Sequence, residues 1–566
     1  MEKRWIYKPI PESEQIEHLS THINVNPILA SILIQRNYTN FEEAKDFFRP
    51  SLKRLHDPFL MKDMEKAIDR LNMAIANEEK ILIYGDYDVD GTTSVATVYG
   101  FLKTQYANID YYIPDRYKEG YGISPESIRW AVKKGFKLII CLDCGIKAVN
   151  LIKEAKAKGI DFIVCDHHLP GPTLPPAVAI LDPKQKDCSY PFDELTGCGV
   201  GFKLIQAYCL RNKIEESQIF EYLDLISVSI ASDLVPIVGE NRILAYHGLI
   251  KLNENPCLGL KALISISGLK EIDISSIVFG IGPRINAAGR IAHAKAAVNL
   301  LQSKDQEEVD LTAEKINNNN ITRRNFDSNI TKEALKLIED DQDLKSAKST
   351  VLFKSDWHKG VIGIVASRCI EKYYRPTIIL TESNNKATGS ARSVVGFDVY
   401  EAIVQCSDLL EQYGGHKYAA GLTLSLDKLK AFQTRFEEIV SRTITDEQLI
   451  PQLEIDQMIN FDRINFKFYN ILKQMSPFGP QNMAPVFVSE NVYVDRSPRI
   501  LKNEHLKMFV KQEGFPYTVE AIGFGLAKYF EMINSGMRFK AAYTIEAANY
   551  FSSKYLQLNL KDIKFD

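Results

Sequence analysis

No uninterrupted apolar run in the 566 residues approaches the ~20 needed to cross a bilayer, which excludes a helical membrane span. The opening Met-Glu-Lys-Arg-Trp has none of the apolar core of a secretory signal, so a cytoplasmic protein is expected. The nine cysteines are odd in number and scattered, not set out in the facing pairs of a zinc site. Reduced thiols in a cytosol fit them better than a disulfide scaffold does. Charge leans to neither side: 69 basic against 72 acidic residues leave −3. Composition therefore does not reveal a polyanion partner, although a nucleic-acid enzyme can gather its basic residues in one groove. What is present, 45% hydrophobic and 25% charged residues, is the balance of a folded globular chain. At ~150 residues per domain, the length suggests three or four domains.

Residues 1–78 read as helical and end in an amphipathic run over 61–77. From residue 79 strands and helices alternate. Apolar strand-like segments lie at 80–84, 136–142, 161–165 and 178–181, with a helix over 94–103 after the first. This alternation predicts a parallel sheet flanked by helices. Residues 219–230 are apolar enough to be a buried helix or a strand. Residues 304–348 contain neither proline nor glycine and space apolar side chains at Val309, Ile316, Phe326, Ile330, Leu337 and Ile338. That pattern predicts a long bridging helix, broken within the four asparagines at 317–320; a disordered linker is the alternative. A second α/β unit covers 349–450. Beyond it, strand candidates at 486–494, 505–511, 517–524, 539–547 and 556–563, with one helix at 526–533, match an OB-type barrel. Other small barrels and sandwiches would look similar. The expected architecture is α/β: a helical region (1–78), a parallel-sheet domain (79–303), a linking helix (304–348), a smaller α/β domain (349–450) and the barrel (451–566).

Acidic residues are concentrated where strands end. Tyr84-Gly-Asp86-Tyr-Asp88-Val-Asp90-Gly91 sets three carboxylates at alternate positions directly after a buried strand. Each negative charge raises the pKa of the next, and a bound divalent cation removes that conflict. A solvated turn is the bland alternative. A calcium EF-hand is excluded by the strand-to-helix context and the missing Glu at its twelfth position. Leu142-Asp143-Cys-Gly, Val164-Cys-Asp166-His167-His168 and Ala231-Ser-Asp233-Leu-Val-Pro236 follow further apolar runs. One strand-end Asp is usually only a cap. In an open parallel sheet, however, the carboxyl ends of the strands meet at one crevice. Asp86, Asp88, Asp143, His167 and Asp233 would supply ligands for two metals, and mixed Asp/His ligation suits manganese at least as well as magnesium. No Ser-His-Asp ordering or Gly-x-Ser-x-Gly argues for a protein nucleophile. Gly414-Gly415-His416 suits an anion nest, or an ordinary turn. Ser390-Ala-Arg392 pairs a short hydroxyl with a fork-shaped cation suited to a terminal phosphate.

Taken in order, these motifs resemble those of the DHH phosphoesterase superfamily. Further stretches narrow the resemblance to its RecJ family of single-strand-specific exonucleases: Ile113-Pro-Asp-Arg116-Tyr-Lys-Glu-Gly-Tyr121-Gly122, Gly282-Pro-Arg-Ile-Asn286-Ala-Ala-Gly-Arg290, and His358-Lys-Gly-Val-Ile-Gly363 with the Ser390 and Gly414 segments. Val89 stands where alanine is more usual, a swap that leaves the ligands untouched. The resemblance implies metal ligation by Asp86, Asp88, Asp143, His167 and Asp233, with Asp90 and Asp166 in support. It implies that His168 and His416 act on the scissile phosphate. Arg116, Ser390 and Arg392 would read a 5′ end, Asn286 and Arg290 would touch the backbone, and Tyr121 would stack on a base. Gly414 and Gly415 would approach a phosphate. The implied cofactors are two divalent cations, Mn2+ or Mg2+. The implied partner is single-stranded DNA with a 5′ end, with a single-strand-binding protein and a helicase as further candidates and a monomer as the expected state. The implied reaction is 5′→3′ hydrolysis to nucleoside 5′-monophosphates in recombination and repair. In the barrel, Tyr493, Phe509, Tyr517, Tyr543, Tyr550 and Tyr555 are available for stacking. Two alternatives stay open: a phosphodiesterase for short oligonucleotides or cyclic dinucleotides, and a non-catalytic single-strand-binding scaffold. A family II pyrophosphatase fits less well, since Leu82 stands where its first motif has histidine.

Overall fold

The structure, a computed structural model, describes residues 1–550 and 553–565, for residues 549, 550 and 553 the backbone alone. The Tyr550 ring named above therefore lies outside the described residues. The chain divides into a larger unit, residues 7–317 with 454–566, and a smaller one, residues 1–6 with 318–453.

In the larger unit, helices α1 (Ser13–Ile23), α2 (Pro27–Gln35), α3 (Phe41–Phe48) and α4 (Met64–Ala76) precede the first sheet. That sheet comprises β1 (Lys80–Gly85), β2 (Ile109–Tyr112), β3 (Phe136–Leu142), β4 (Asp161–Cys165) and β5 (Ala179–Leu181). All pairs are parallel, in the order β2-β1-β3-β4-β5. Strand β1 is buried on both faces: Ile81 and Ile83 join one core, Leu82 and Tyr84 the other. Parallel sheets covered on both sides read as continuous apolar runs for this reason. The order reverses between β1 and β3, the switch point at which such sheets bind ligands. Helix α5 (Val89–Gln105) follows β1, and α6 (Gly197–Asn212) and α7 (Leu223–Asp233) follow the sheet. The stretch left open between helix and strand is thus helical, and Asp233 ends a buried helix instead of following a strand.

Helix α8 (Gly282–Ile291) is followed by α9 (Gln306–Asp340), which runs unbroken through the four asparagines, contrary to the expected interruption. Intrinsic propensity disfavours asparagine by well under 1 kcal/mol per residue, too little to break a helix anchored at both ends. Val309, Ala313 and Ile316 join the larger unit's core, whereas Ile330, Ala334 and Ile338 join a core of the smaller unit.

The smaller unit holds a mixed sheet of β6 (Thr350–Phe353), β7 (Thr377–Ser383), β8 (Lys386–Arg392), β9 (Gln412–His416) and β10 (Ala419–Ser425), in the order β9-β10-β8-β7-β6. Only β6 and β7 pair in parallel.

The C-terminal part of the larger unit is a barrel of β11 (Phe487–Leu501), β12 (His505–Gln512), β13 (Val519–Gly523), β14 (Phe539–Tyr550) and β15 (Ser553–Phe565). The order β11-β12-β13-β15-β14 closes through pairing of β11 with β14. A short helix, Phe530–Asn534, sits between β13 and β14, as an OB-type barrel requires. Its core also takes Leu19, Leu29, Ile32, Leu33 and Phe47, so α1–α3 pack on the barrel although they stand at the other end of the chain. Arg242 locks this arrangement. It is buried and donates to the carbonyls of Phe47 (2.8 and 3.0 Å), Met475 (3.1 Å) and Ser476 (3.0 Å).

Candidate metal centre

Acidic and imidazole side chains gather at the carboxyl edge of the parallel sheet. Asp86 directly follows β1 and Asp143 directly follows β3, flanking the switch point. Asp166, His167 and His168 follow β4, and Asp233 enters from the end of α7. Asp143 holds a left-handed φ of 60°, fixed by its N–H donating to the Cys165 carbonyl at 2.9 Å. Such strain in a non-glycine residue persists only where the surroundings enforce it. Any side chain on Gly197 would strike Asp143, with a Cβ–Cβ distance of 2.5 Å, so α6 must begin on glycine. Cys141 and Cys144 bracket Leu142-Asp143 at a Cys-x-x-Cys spacing that sequence reasoning passed over, and both are buried in the apolar core.

His167 is the hub. Its Nε2 lies 3.1 Å from Asp143 Oδ1 and 3.7 Å from both Asp90 Oδ2 and Asp233 Oδ2. One ligand atom each from Asp143, His167 and His168 falls within 4.8 Å of the others, and the same holds for Asp90, His167 and Asp233. Burial pushes the His167 pKa down to about 4, so the imidazole is neutral at pH 7, as a metal ligand must be. The carboxylates behave oppositely. Burial first, then the neighbouring charges, raise Asp143 (through Asp90, Asp88 and Asp233), Asp233 (through Asp90 and Asp88), Asp88 (through Asp90) and Asp86 (through Asp88). Asp233 is the outermost of them, its side chain 31% exposed. Asp86 Oδ2 and His167 Nδ1 are buried without a hydrogen-bond partner. Crowded carboxylates, a neutral imidazole and orphaned ligand atoms together fit hard divalent cations.

Asp90 and Asp166 do different work. Asp90 accepts from the N–H groups of Gly197 (2.7 Å) and Cys198 (3.0 Å) at the start of α6, and from Ser229 Oγ (2.6 Å). The helix N-terminus satisfies this carboxylate, which orients the cluster. Asp166 is equally buried. Burial alone would raise its pKa, but His168 and the Ile146 N–H outweigh that and hold it at about 2. Its Oδ1 accepts from the His167 N–H (2.8 Å) and from His168 Nδ1 (2.7 Å), and its Oδ2 from the Ile146 N–H (2.9 Å). In return the Asp166 charge overcomes burial and raises the His168 pKa. Tyr121 is 55% exposed, yet its hydroxyl donates to the Asp143 carbonyl at 3.0 Å and lies 3.3 Å from His168 Nε2. Arg116 stacks over the Tyr87 ring at 4.7 Å, between Asp86 and Asp88 in sequence. Asn286 and Arg290 sit on the partly open side of α8.

Sequence reasoning missed Asp182, Gly197 and Ser229. Asp182 directly follows β5, so the strand-end signal was present. Burial, then Asp166, pushes its pKa up to about 7. In the smaller unit, Arg392 Nη1 donates to Ser390 Oγ at 3.0 Å on β8. Gly414, Gly415 and His416 lie on exposed strand β9, paired with Gly421, Ala420 and Ala419. An extended strand therefore replaces the compact nest expected from two adjacent glycines. Gly415 still needs to be glycine, because its φ is 152° and a Cβ there would lie 2.3 Å from the Ala419 carbonyl oxygen. Of the barrel aromatics, Tyr543 is core, Tyr517 is exposed, and Phe509 carries Arg496 over its ring at 5.2 Å.

A parallel sheet with acids and histidines gathered at its carboxyl edge fits a phosphoesterase of the DHH class. The chain matches the DHH family, N-terminal domain, over residues 80–230, the DHHA1 domain over 346–442 and the RecJ OB domain over 455–562. It is 38% identical to the single-stranded-DNA-specific exonuclease RecJ of Bacillus subtilis, over 98% of this chain and 70% of that protein. To its Haemophilus influenzae counterpart it is 31% identical, over 95% and 96%. The crystal structure of Thermus thermophilus RecJ in complex with Mn2+ superposes with a TM-score of 0.85 at 25% identity, covering 100% of this chain and 80% of that one. The chain belongs to the RecJ family of single-stranded-DNA-specific exonucleases.

Proposed function

We propose that this chain is a metal-dependent exonuclease that degrades single-stranded DNA from its 5′ end, releasing nucleoside 5′-monophosphates in recombination and repair. The observation that carries this is the convergence of Asp143, His167, Asp90 and Asp233 from four distant segments onto one locus at the sheet's switch point. Asp86, Asp88, Asp143, His167 and Asp233 would hold two divalent cations, Mn2+ or Mg2+. When bound, the cations polarise the phosphodiester and make a water nucleophilic at neutral pH.

The chain's own groups orient the substrate. Asp166 accepts from His168 Nδ1, which favours the imidazolium and leaves Nε2–H to donate to a phosphate oxygen. The Tyr121 hydroxyl lies 3.3 Å from that Nε2, so it marks the place that a phosphate oxygen would take or share. Asn286 and Arg290 supply donors for the strand's backbone. On β8, Arg392 uses the Ser390 oxygen as acceptor, so hydroxyl and guanidinium stand together for a terminal phosphate. Arg116 is a further proposed phosphate contact in the larger unit, and His416 with the Gly414–Gly415 strand is another in the smaller unit. The family alone suggests a single-strand-binding protein and a helicase as suppliers of the strand, and a cytoplasmic monomer as the working form.

End-labelled single-stranded DNA, incubated with each cation, tests the reaction directly. The expected result is mononucleotide release from the 5′ end with Mn2+ or Mg2+ and none with EDTA. Cleavage only of dinucleotides, or of no strand at all, would contradict it.

A further inference from the structure

Phe279 is the most exposed large apolar side chain among the described residues, at 80%. It stands on a π-helical turn, Ile277–Ile281, that runs straight into α8. Single π turns recur at functional sites, where they re-aim a side chain. Along this segment Ile277, Ile281, Ile285 and Ala288 face the core. Phe279, Pro283, Asn286 and Arg290, spaced i, i+4, i+7 and i+11, form the open side.

Both ends of α8 are tied to the metal centre. A Cβ on Gly282 would come 2.8 Å from Ser232 Oγ, beside Asp233. A Cβ on Gly289 would come 2.8 Å from the Tyr87 carbonyl oxygen, between Asp86 and Asp88. The open side of α8 therefore borders the carboxylate cluster, with Phe279 one turn beyond its Asp233 end. Two more exposed apolar side chains directly follow site residues: Leu234 (57%, φ 58°) after Asp233, and Leu169 (69%) after His168.

We propose that Phe279 is a nucleobase-stacking site for the single strand. This rests on the nuclease function proposed above and adds a base contact to it. The chemistry of the stripe identifies the occupant. Asn286 and Arg290 offer donors for phosphate oxygens, and an apolar ring follows about 10 Å along the axis, seven residues at ~1.5 Å each. Alternating phosphate and base contacts are what a single strand presents, and base–aromatic stacking tolerates any sequence. At the ~3.4 Å spacing of stacked nucleotides, that ring serves a base about three positions from the one held by Asn286.

The test uses the full chain with Phe279→Ala and Phe279→Trp, and 5′-phosphorylated oligonucleotides carrying one abasic nucleotide moved through the first six positions. Phe279→Ala is expected to raise KM on the intact strand about tenfold, with kcat and melting temperature unchanged. For the wild type, KM should rise at one abasic position. That dependence should vanish in Phe279→Ala and return in Phe279→Trp. A merely structural role would not produce a position-specific profile. If Phe279→Ala keeps the wild-type KM and abasic profile, the stacking site is overturned and the ring is left to a protein partner. If the wild type digests no strand with either cation, the nuclease function itself fails and the stacking site with it.

Discussion

Replacing Asp166 with asparagine is expected to destabilise the protein although the side chain keeps its shape. The carboxylate uses both oxygens: Oδ1 for the His167 N–H and His168 Nδ1, Oδ2 for the Ile146 N–H. An amide has only one acceptor, so whichever way it turns, its NH2 faces a donor. The size of the effect follows from the pKa. Against burial, His168 and the Ile146 N–H bring the carboxyl from 3.8 to about 2. A drop of about two units is worth roughly 2–3 kcal/mol. Because the folded-state pKa lies below the unfolded one, this stabilisation is present above the unfolded value of 3.8 and disappears as pH falls towards 2. Urea unfolding of metal-free wild type and Asp166→Asn should therefore differ by about 2–3 kcal/mol at pH 7. The gap should narrow as pH is lowered below 4. Loss of the same carboxylate should lower the His168 pKa and move the alkaline limb of the activity profile to lower pH. Equal stability at pH 7, or a gap that stays constant down to pH 3, would refute the reasoning.

Three other outcomes follow from the same geometry. Asp143→Ala should reduce kcat by at least about 10³-fold, as expected when a metal site loses a ligand, while circular dichroism stays native; full activity in that variant would remove Asp143 from the site. Mn2+ at about 100 times its Kd should stabilise the fold by about 2.7 kcal/mol in differential scanning fluorimetry. That gain should shrink as pH falls, because Asp86, Asp88, Asp143 and Asp233 have raised pKa values and must release protons to bind. A gain independent of pH would place the ion elsewhere. Gly415→Ala forces a Cβ to 2.3 Å from the Ala419 carbonyl oxygen, so the smaller unit should lose about 1–3 kcal/mol in chemical denaturation; an unchanged midpoint would contradict the hairpin geometry.

Much of the fold and site was legible because parallel strands buried on both faces leave continuous apolar runs. Strands β1, β3, β4 and β5 stood out in that way, and the acids following β1, β3 and β4 marked the crevice. Strand β2 did not, since Ile-Asp-Tyr-Tyr is a short edge strand with a polar residue in it. Helix α7 is buried almost all round, from Leu223 to Ala231, and so carries no helical period. Asp233 consequently looked like a strand-end residue when it ends a helix. Asp90 resembled its two neighbours in the alternate-acid motif, and only the start of α6 reveals that its oxygens are spent on Gly197, Cys198 and Ser229. Two adjacent glycines suggested a turn at 414–415, but pairing with β10, an interaction that local sequence does not encode, draws them into a strand. The exposure of Phe279 likewise had no local signal, because Ile-Val-Phe-Gly-Ile reads as core until the π turn swings the ring outwards.

Anomalous diffraction at the manganese edge, from crystals grown with Mn2+, puts the ligand set itself to the test. Two peaks enclosed by Asp86, Asp88, Asp143, His167 and Asp233 are the result this account requires. Peaks absent from that locus, or bound without Asp143 and His167, would contradict it.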